Sequence, residues 1–199
     1  MPSIAVTGTI GSGKSLALTF LTQFLPSVIY NADIENRNLL DHDEQVHELI
    51  RKEFGNIYLD SMGRPDRKLL FKLITSDHSA KTLLEEILHP RLEKVWKPLA
   101  LKSKGTKGNF FIAEIPLLYE KGLDRFFDRT ILIACSDSVR KERLHQKRQL
   151  SEQETSAWLK HQVSQDEKIN LADHLIWNDA SEHALELQIR ELLPLLKNL

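Results

Sequence analysis

The residues best suited to chemistry stand at the start of the chain. Gly8-Thr9-Ile10-Gly11-Ser12-Gly13-Lys14-Ser15 fits G-x-x-x-x-G-K-[ST], with Gly8, Gly13, Lys14 and Ser15 at the required places and Leu16 directly after them. Glycines let a backbone curl until successive N–H groups face phosphate oxygens, and Gly11 and Ser12 lie inside that curl. Lys14 can reach β- and γ-phosphates as a point charge, while the Ser15 hydroxyl can ligate Mg²⁺. A helix opening here adds the positive end of its dipole. The bland alternative is a glycine-rich turn that happens to contain Lys-Ser. A strand immediately before it and a helix immediately after it count against that.

Further along stand residues that could serve an acceptor. Asp33 falls just past the carboxyl end of a short strand at 28–30, the edge where open α/β sheets bind ligands. A carboxylate there can take the proton of an attacking hydroxyl, or it can simply cap a helix that starts at Ile34. Arg37 is one helical turn on, either facing the same cleft or solvated. Asp137 to Arg148 is basic, and Arg140, Arg143 and Lys147 fall on one helical face. Such a face can neutralise a transferring phosphoryl group, or be a solvated charge run. Glu114, late in an apolar strand, can hold a metal-bound water or be a paired buried charge. Cys135 reads as a small buried hydrophobe at a strand end.

These residues need elements to hold them. Apolar runs at 3–7, 28–30, 110–115, 130–135 and 174–177 read as strands, the third and fourth as strands buried on both faces. Helical spacing follows the glycine-rich loop from Leu16 to Leu25. It returns from Asp43 to about Leu101, in stripes of Val46, Leu49, Ile50 and Phe54, then Leu69, Leu70, Leu73 and Ile74, then Leu92, Val95, Trp96 and Leu99. Ser103 to Asn109 is a loop by composition. Ser151 with Glu154, and Ser164 with Glu167, match capping boxes. A closing helix from Ser181 turns Leu185, Ile189, Leu192 and Leu196 inward. The alternation predicts a parallel sheet wrapped by helices, with a helical insertion after the second strand.

Composition narrows the classes. The 199 residues suit one domain with an insertion, 41% are hydrophobic, and 27 basic against 28 acidic residues leave a net charge of -1. That balance offers no bulk attraction for nucleic acid or an anionic membrane. The single cysteine excludes an internal disulfide and suits a reducing compartment. No apolar run approaches the roughly 18 residues that span a bilayer, and the first residues lack a secretory pattern. The expectation is a soluble cytoplasmic α/β protein, a monomer with an oligomer left open.

Set in order, several segments resemble the dephospho-coenzyme A kinase family. They are the loop at 8–15, Asn31-Ala32-Asp33-Ile34-Glu35-Asn36-Arg37, Leu88-His89-Pro90, and Ile115-Pro116-Leu117-Leu118-Tyr119-Glu120. The run from Arg143 to Gln162 with Lys168, and Ala172-Asp173 with Asn178, extend the likeness from near residue 3 to about 180. The resemblance implies a P-loop NTPase core with a five-stranded parallel sheet (1–33 and 104–199), a small helical lid at about 140–168, and a helical acceptor domain (34–103). It implies transfer of the ATP γ-phosphoryl group to the ribose 3′-hydroxyl of dephospho-CoA, with Mg²⁺, yielding coenzyme A. By this carry-over Asp33 is the general base, and Arg37, His89, Leu117 and Glu120 serve the acceptor. Arg143 is the lid arginine, and Arg140, Lys147 and Asn178 lie on the nucleotide side.

The chain departs from the family pattern at Asn31, where an Asp is usual, at Leu16, where Thr is usual, and at Lys147-Arg148, where an Arg-Asp pair is usual. Another small-molecule or nucleoside monophosphate kinase, and a nucleotide-binding relative without turnover, are the rival readings.

Overall fold

The computed structural model describes residues 1–102, 109–148 and 164–199, without the side chains of 147 and 148. The capping box expected at Ser151 and Glu154, most of the expected lid and most of the 103–109 loop lie outside the described residues. Five strands form one sheet: β1 (Ser3–Thr7), β2 (Ser27–Asn31), β3 (Phe110–Glu114), β4 (Arg129–Ala134) and β5 (His174–Trp177), in the order β2-β3-β1-β4-β5. β1 runs parallel to β3 and β4 on its two sides, and β4 parallel to β5. Every residue of β1 and β3 is buried, as expected of central strands covered on both faces.

Two compact units make up the chain: residues 1–30 with 97–199, and residues 31–96. In the first, Ile4, Val6, Ile112, Ile131 and Ile133 of the sheet pack with Ala17, Leu18 and Leu21 of α1 (Lys14–Phe24). The same cluster takes Leu185, Ile189, Leu192 and Leu196 from the closing helix (Glu182–Lys197), the four inward residues read from its spacing. The helix starts where Ser181 accepts from the Ala184 N–H.

Two aspartates fix the register at the amino-terminal edge of this sheet. Asp128, just before β4, accepts from the Ser3 N–H at 2.8 Å and its hydroxyl at 3.0 Å. Asp173, just before β5, does the same to Thr130, at 2.8 Å from both groups. Each ties its own strand to the start of the neighbouring one, so the opposite edge, where the glycine-rich loop leaves β1, is held in place.

In the second unit, α2 (Ala32–His42), α3 (Glu44–Phe54), α4 (Arg67–Ser76) and most of α5 (His78–Leu101) enclose Val46, Ile50, Leu70, Leu84, Ile87 and Leu88. Asn31, Asp43 and Asp66 cap α2, α3 and α4 through their side chains. On α5 the expected stripe needs one correction. Val95 is 45% exposed, because the buried row steps by four through Leu84, Leu88, Leu92, Trp96 and Ala100 and passes beside it.

Candidate active site

The phosphate-loop pattern sits at the carboxyl end of the central strand and runs into α1. Its first half is a turn, the Ser12 N–H donating to the Thr9 carbonyl at 3.2 Å. Gly13 has φ 95° in the left-handed region and caps α1, accepting from the Leu16 and Ala17 N–H groups at 3.1 Å. Lys14 donates from Nζ to the Gly8 and Thr9 carbonyls at 3.0 and 3.1 Å, which keeps its ammonium over the loop. Ser15 is exposed on the first turn of α1, two residues earlier than the spacing suggested for that helix. Leu16 lies on the same turn, partly buried and packed against the core.

The basic segment at 137–148 is the helix α6 (Asp137–Arg148), and it braces the loop from outside. Arg140 is only 7% exposed, donating to Thr9 Oγ1 at 3.3 Å and pairing with Asp137 at 2.6 Å. A solvated charge run does not describe it. Arg143 directs Nη1 to the Ser12 carbonyl at 3.5 Å, and Asn178, beyond β5, donates to the same oxygen at 2.8 Å. The side chain of Lys147 lies outside the described residues. Cys135 is buried at the start of this connection, where burial pushes its thiol up against the pull of Arg143 and Arg140.

Glu114 closes β3, opposite Val6 of β1, and is 2% exposed. Leu117 is partly buried in the loop that follows. Glu120, read from the resemblance as an acceptor contact, meets the fully buried Lys168 at 2.8 Å. That lysine comes from α7 (Gln165–Leu171, with the closing helix Glu182–Lys197 then α8), whose amino end carries the Ser164–Glu167 capping box that the spacing predicted. Among the described residues no three His, Cys, Asp or Glu side chains gather as a metal cage. A divalent cation here fits the mode in which one or two protein oxygens, such as the exposed Ser15 hydroxyl, join substrate phosphates.

Asp33, Arg37 and His89 belong to the second unit. The strand β2 runs one residue past the expected end, so α2 opens at Ala32 and Asn31 is its cap, accepting the Ile34 N–H at 3.0 Å. Asp33 is therefore not the cap. It lies in the first helical turn, exposed, with Arg37 exposed on the same face one turn later. Neither side chain forms a hydrogen bond or ion pair with any described residue. His89 is partly buried midway along α5.

Some contributors escaped the sequence reading. Gln165 pairs its amide with both backbone groups of Cys135, at 3.3 and 3.0 Å, and Asp179 accepts the Ser136 N–H at 2.6 Å. Burial of Asp179 opposes its charge, but hydrogen bonds led by the Ser136 N–H hold its pKa down. Thr9 gives Arg140 an anchor. Only the general preference of Asn, Asp and Gln for backbone partners could have flagged the side-chain amides and carboxylates.

A family profile described as dephospho-CoA kinase matches residues 3–184. The chain belongs to the dephospho-CoA kinase family. A dephospho-CoA kinase of Methylococcus capsulatus is 32% identical over 190 residues, covering 95% of this chain and 93% of that one. The crystal structure of TT1252 from Thermus thermophilus superposes with TM-score 0.76 at 27% identity, covering 98% and 97% of the two chains. A shikimate kinase from Acinetobacter baumannii shares the fold alone, with TM-score 0.54 at 14% identity over 100% of this chain and 94% of the other. Family membership makes the chain a phosphotransferase, and a kinase implies ATP as one substrate. Among the described residues no helix is long and apolar enough to cross a membrane.

Proposed function

We propose that this chain transfers the γ-phosphoryl group of ATP to the ribose 3′-hydroxyl of dephospho-CoA, releasing coenzyme A and ADP. The observation that carries the reading is a braced phosphate loop in a chain of this family. Asp33, in the other unit, bonds no described residue and is left to serve as base. Asp33 accepts the proton of the 3′-hydroxyl as its oxygen bonds to the γ-phosphorus. The bond from that phosphorus to the bridging oxygen breaks, and ADP leaves with the electron pair.

Loop N–H groups and Lys14 hold the β- and γ-phosphates, Arg143 offsets charge on the group in transit, and most of the acceleration is positioning and electrostatics. Arg37 and His89 bind the acceptor, the guanidinium matching a phosphate with its planar fork. The Ser15 hydroxyl would hold a Mg²⁺ ion, which would supply charge neutralisation at the phosphates. Asn31 performs the capping that an Asp would perform there, so the start of α2 is kept despite that departure. The buried free Cys135 suits a reducing cytoplasm, and the reading requires one copy of the chain.

The test is ADP release with ATP and Mg²⁺ in the presence of dephospho-CoA, AMP, shikimate or pantothenate, with products identified by mass spectrometry. Coenzyme A formed from dephospho-CoA, with the other three inert, is the expected result. Turnover of another acceptor in preference, or ATP binding with no product at all, overturns it.

A further inference from the structure

The Ser12–Gly13 peptide is held from one side only. Its carbonyl accepts from the Asn178 amide nitrogen at 2.8 Å and from Arg143 at 3.5 Å, and the two lone pairs of the oxygen accommodate both. The N–H of the same peptide belongs to Gly13 and donates to no described residue. The peptide bonds are trans, and a planar trans peptide directs its N–H opposite to its carbonyl. Fixing the oxygen therefore aims the hydrogen, and at this position of a phosphate loop the N–H faces the phosphates.

Asn178 is itself immobilised. Its N–H donates to the Ala134 carbonyl at 2.7 Å, its neighbour Trp177 is clipped through both backbone groups by Gln188 at 3.0 Å, and Asp179 holds Ser136. The Asn178 residue is 4% exposed, and its contact with Ser12 links positions 166 apart in sequence. The fit also explains the residue at 13. A Cβ on Gly13 would collide with the Asn178 amide nitrogen, so the glycine leaves room for the clamp as well as supplying its φ.

We infer that Asn178 is a positioning residue for phosphate binding, acting through the Ser12–Gly13 peptide rather than by touching the nucleoside. The inference rests on the phosphate-loop reading above and assigns Asn178 a different role from direct nucleotide contact. Arg143 can leave the shared carbonyl for the transferring group while Asn178 keeps the peptide oriented.

A nucleoside contact and a loop clamp differ in one respect: only the clamp affects a ligand that has no nucleoside. The experiment measures binding of ATP and of inorganic tripolyphosphate to wild-type protein and to the Asn178→Ala and Asn178→Asp variants, together with KM for dephospho-CoA. Expected is a weakening of roughly tenfold for Asn178→Ala, equal for the two ligands, with KM for dephospho-CoA unchanged. Asn178→Asp sets a carboxylate against the carbonyl and weakens both ligands further. Weakening of ATP alone assigns Asn178 to the nucleoside and overturns the proposal, as does no weakening of either.

Should the variants fail to fold, the Gly13 amide resonance of glycine-labelled wild-type protein keeps the question open to refutation. A marked shift on adding tripolyphosphate is expected, and an unmoved resonance contradicts the assigned direction of that N–H. Wild-type protein that binds neither ATP nor tripolyphosphate removes the phosphate-loop reading, and the proposal with it.

Discussion

The phosphate loop and the first turn of α2 treat their polar groups in opposite ways. At the loop, Lys14 bonds two carbonyls, Arg140 bonds Thr9 and Asp137, and Asn178 with Arg143 shares the Ser12 oxygen. At the turn, Asp33 and Arg37 stand exposed with no partner among the described residues, although the nearby Asn31 caps the helix. The loop is prepared in advance, so that phosphate meets donors whose ordering cost has already been met in folding. The turn has charges uncommitted among the described residues, and on the proposed mechanism their partners come with the acceptor. On the proposed mechanism a chain that spent Asp33 on its own helix would lose its base, and placing the cap at Asn31, two residues earlier, avoids that. Substitutions in the first region should therefore change stability or donor binding, and those in the second only acceptor binding and rate.

The largest effect expected is at the braced side. Lys168→Met removes the fully buried cation that meets Glu120 at 2.8 Å and should cost about 3–5 kcal/mol in denaturant unfolding. A loss under about 1 kcal/mol would show the pair to be as dispensable as a surface ion pair. On the uncommitted side, Arg37→Ala should leave unfolding unchanged and raise KM for dephospho-CoA roughly 10- to 100-fold, the value of a charge-assisted hydrogen bond, with KM for ATP unaltered. Arg37→Lys should recover only part of that. Equal changes in both KM values would break the contrast.

Smaller is the effect of Asn31→Ala, about 1 kcal/mol from a lost cap, whereas Asn31→Asp should keep the stability. Smallest is an acid effect at the capping box of α7. Hydrogen bonds from the Ser164 side chain and backbone hold the Glu167 carboxyl below its ordinary value of 4.5. A depressed folded-state pKa contributes stability above the unfolded value and loses it as pH falls through the folded one. Acid titration should therefore destabilise the wild-type protein below about pH 4.5 slightly more than Glu167→Gln. An identical acid limb in the two proteins would show the box to be without weight there.

How far such contrasts can be read from residue order depends on the range of the interaction. The phosphate loop is contiguous, so its pattern states its own geometry. The inward residues of α8 obey one period, and all four are buried. Asn31 and Asp33 were harder, because both are good caps and one further residue of β2 decides between them. Arg140 was ambiguous because its partner Thr9 is 131 residues away, and a basic run is ordinarily solvated. Nothing local marks Asn178 as facing a loop carbonyl. Its partner is chosen by the order β1-β4-β5, which places the end of β5 beyond β4 and within reach of the loop.

The contrast stands or falls on Asp33. The most direct measurement is single-turnover phosphoryl transfer with saturating ATP, Mg²⁺ and dephospho-CoA in wild-type protein and Asp33→Asn, with ATP affinity and thermal unfolding followed alongside. Removal of the proposed general base, which bonds no described residue, predicts a rate at least about 10²-fold lower, with ATP affinity and stability unchanged. An unchanged rate would place the base elsewhere, and a matching loss of stability would return Asp33 to the structure of its helix.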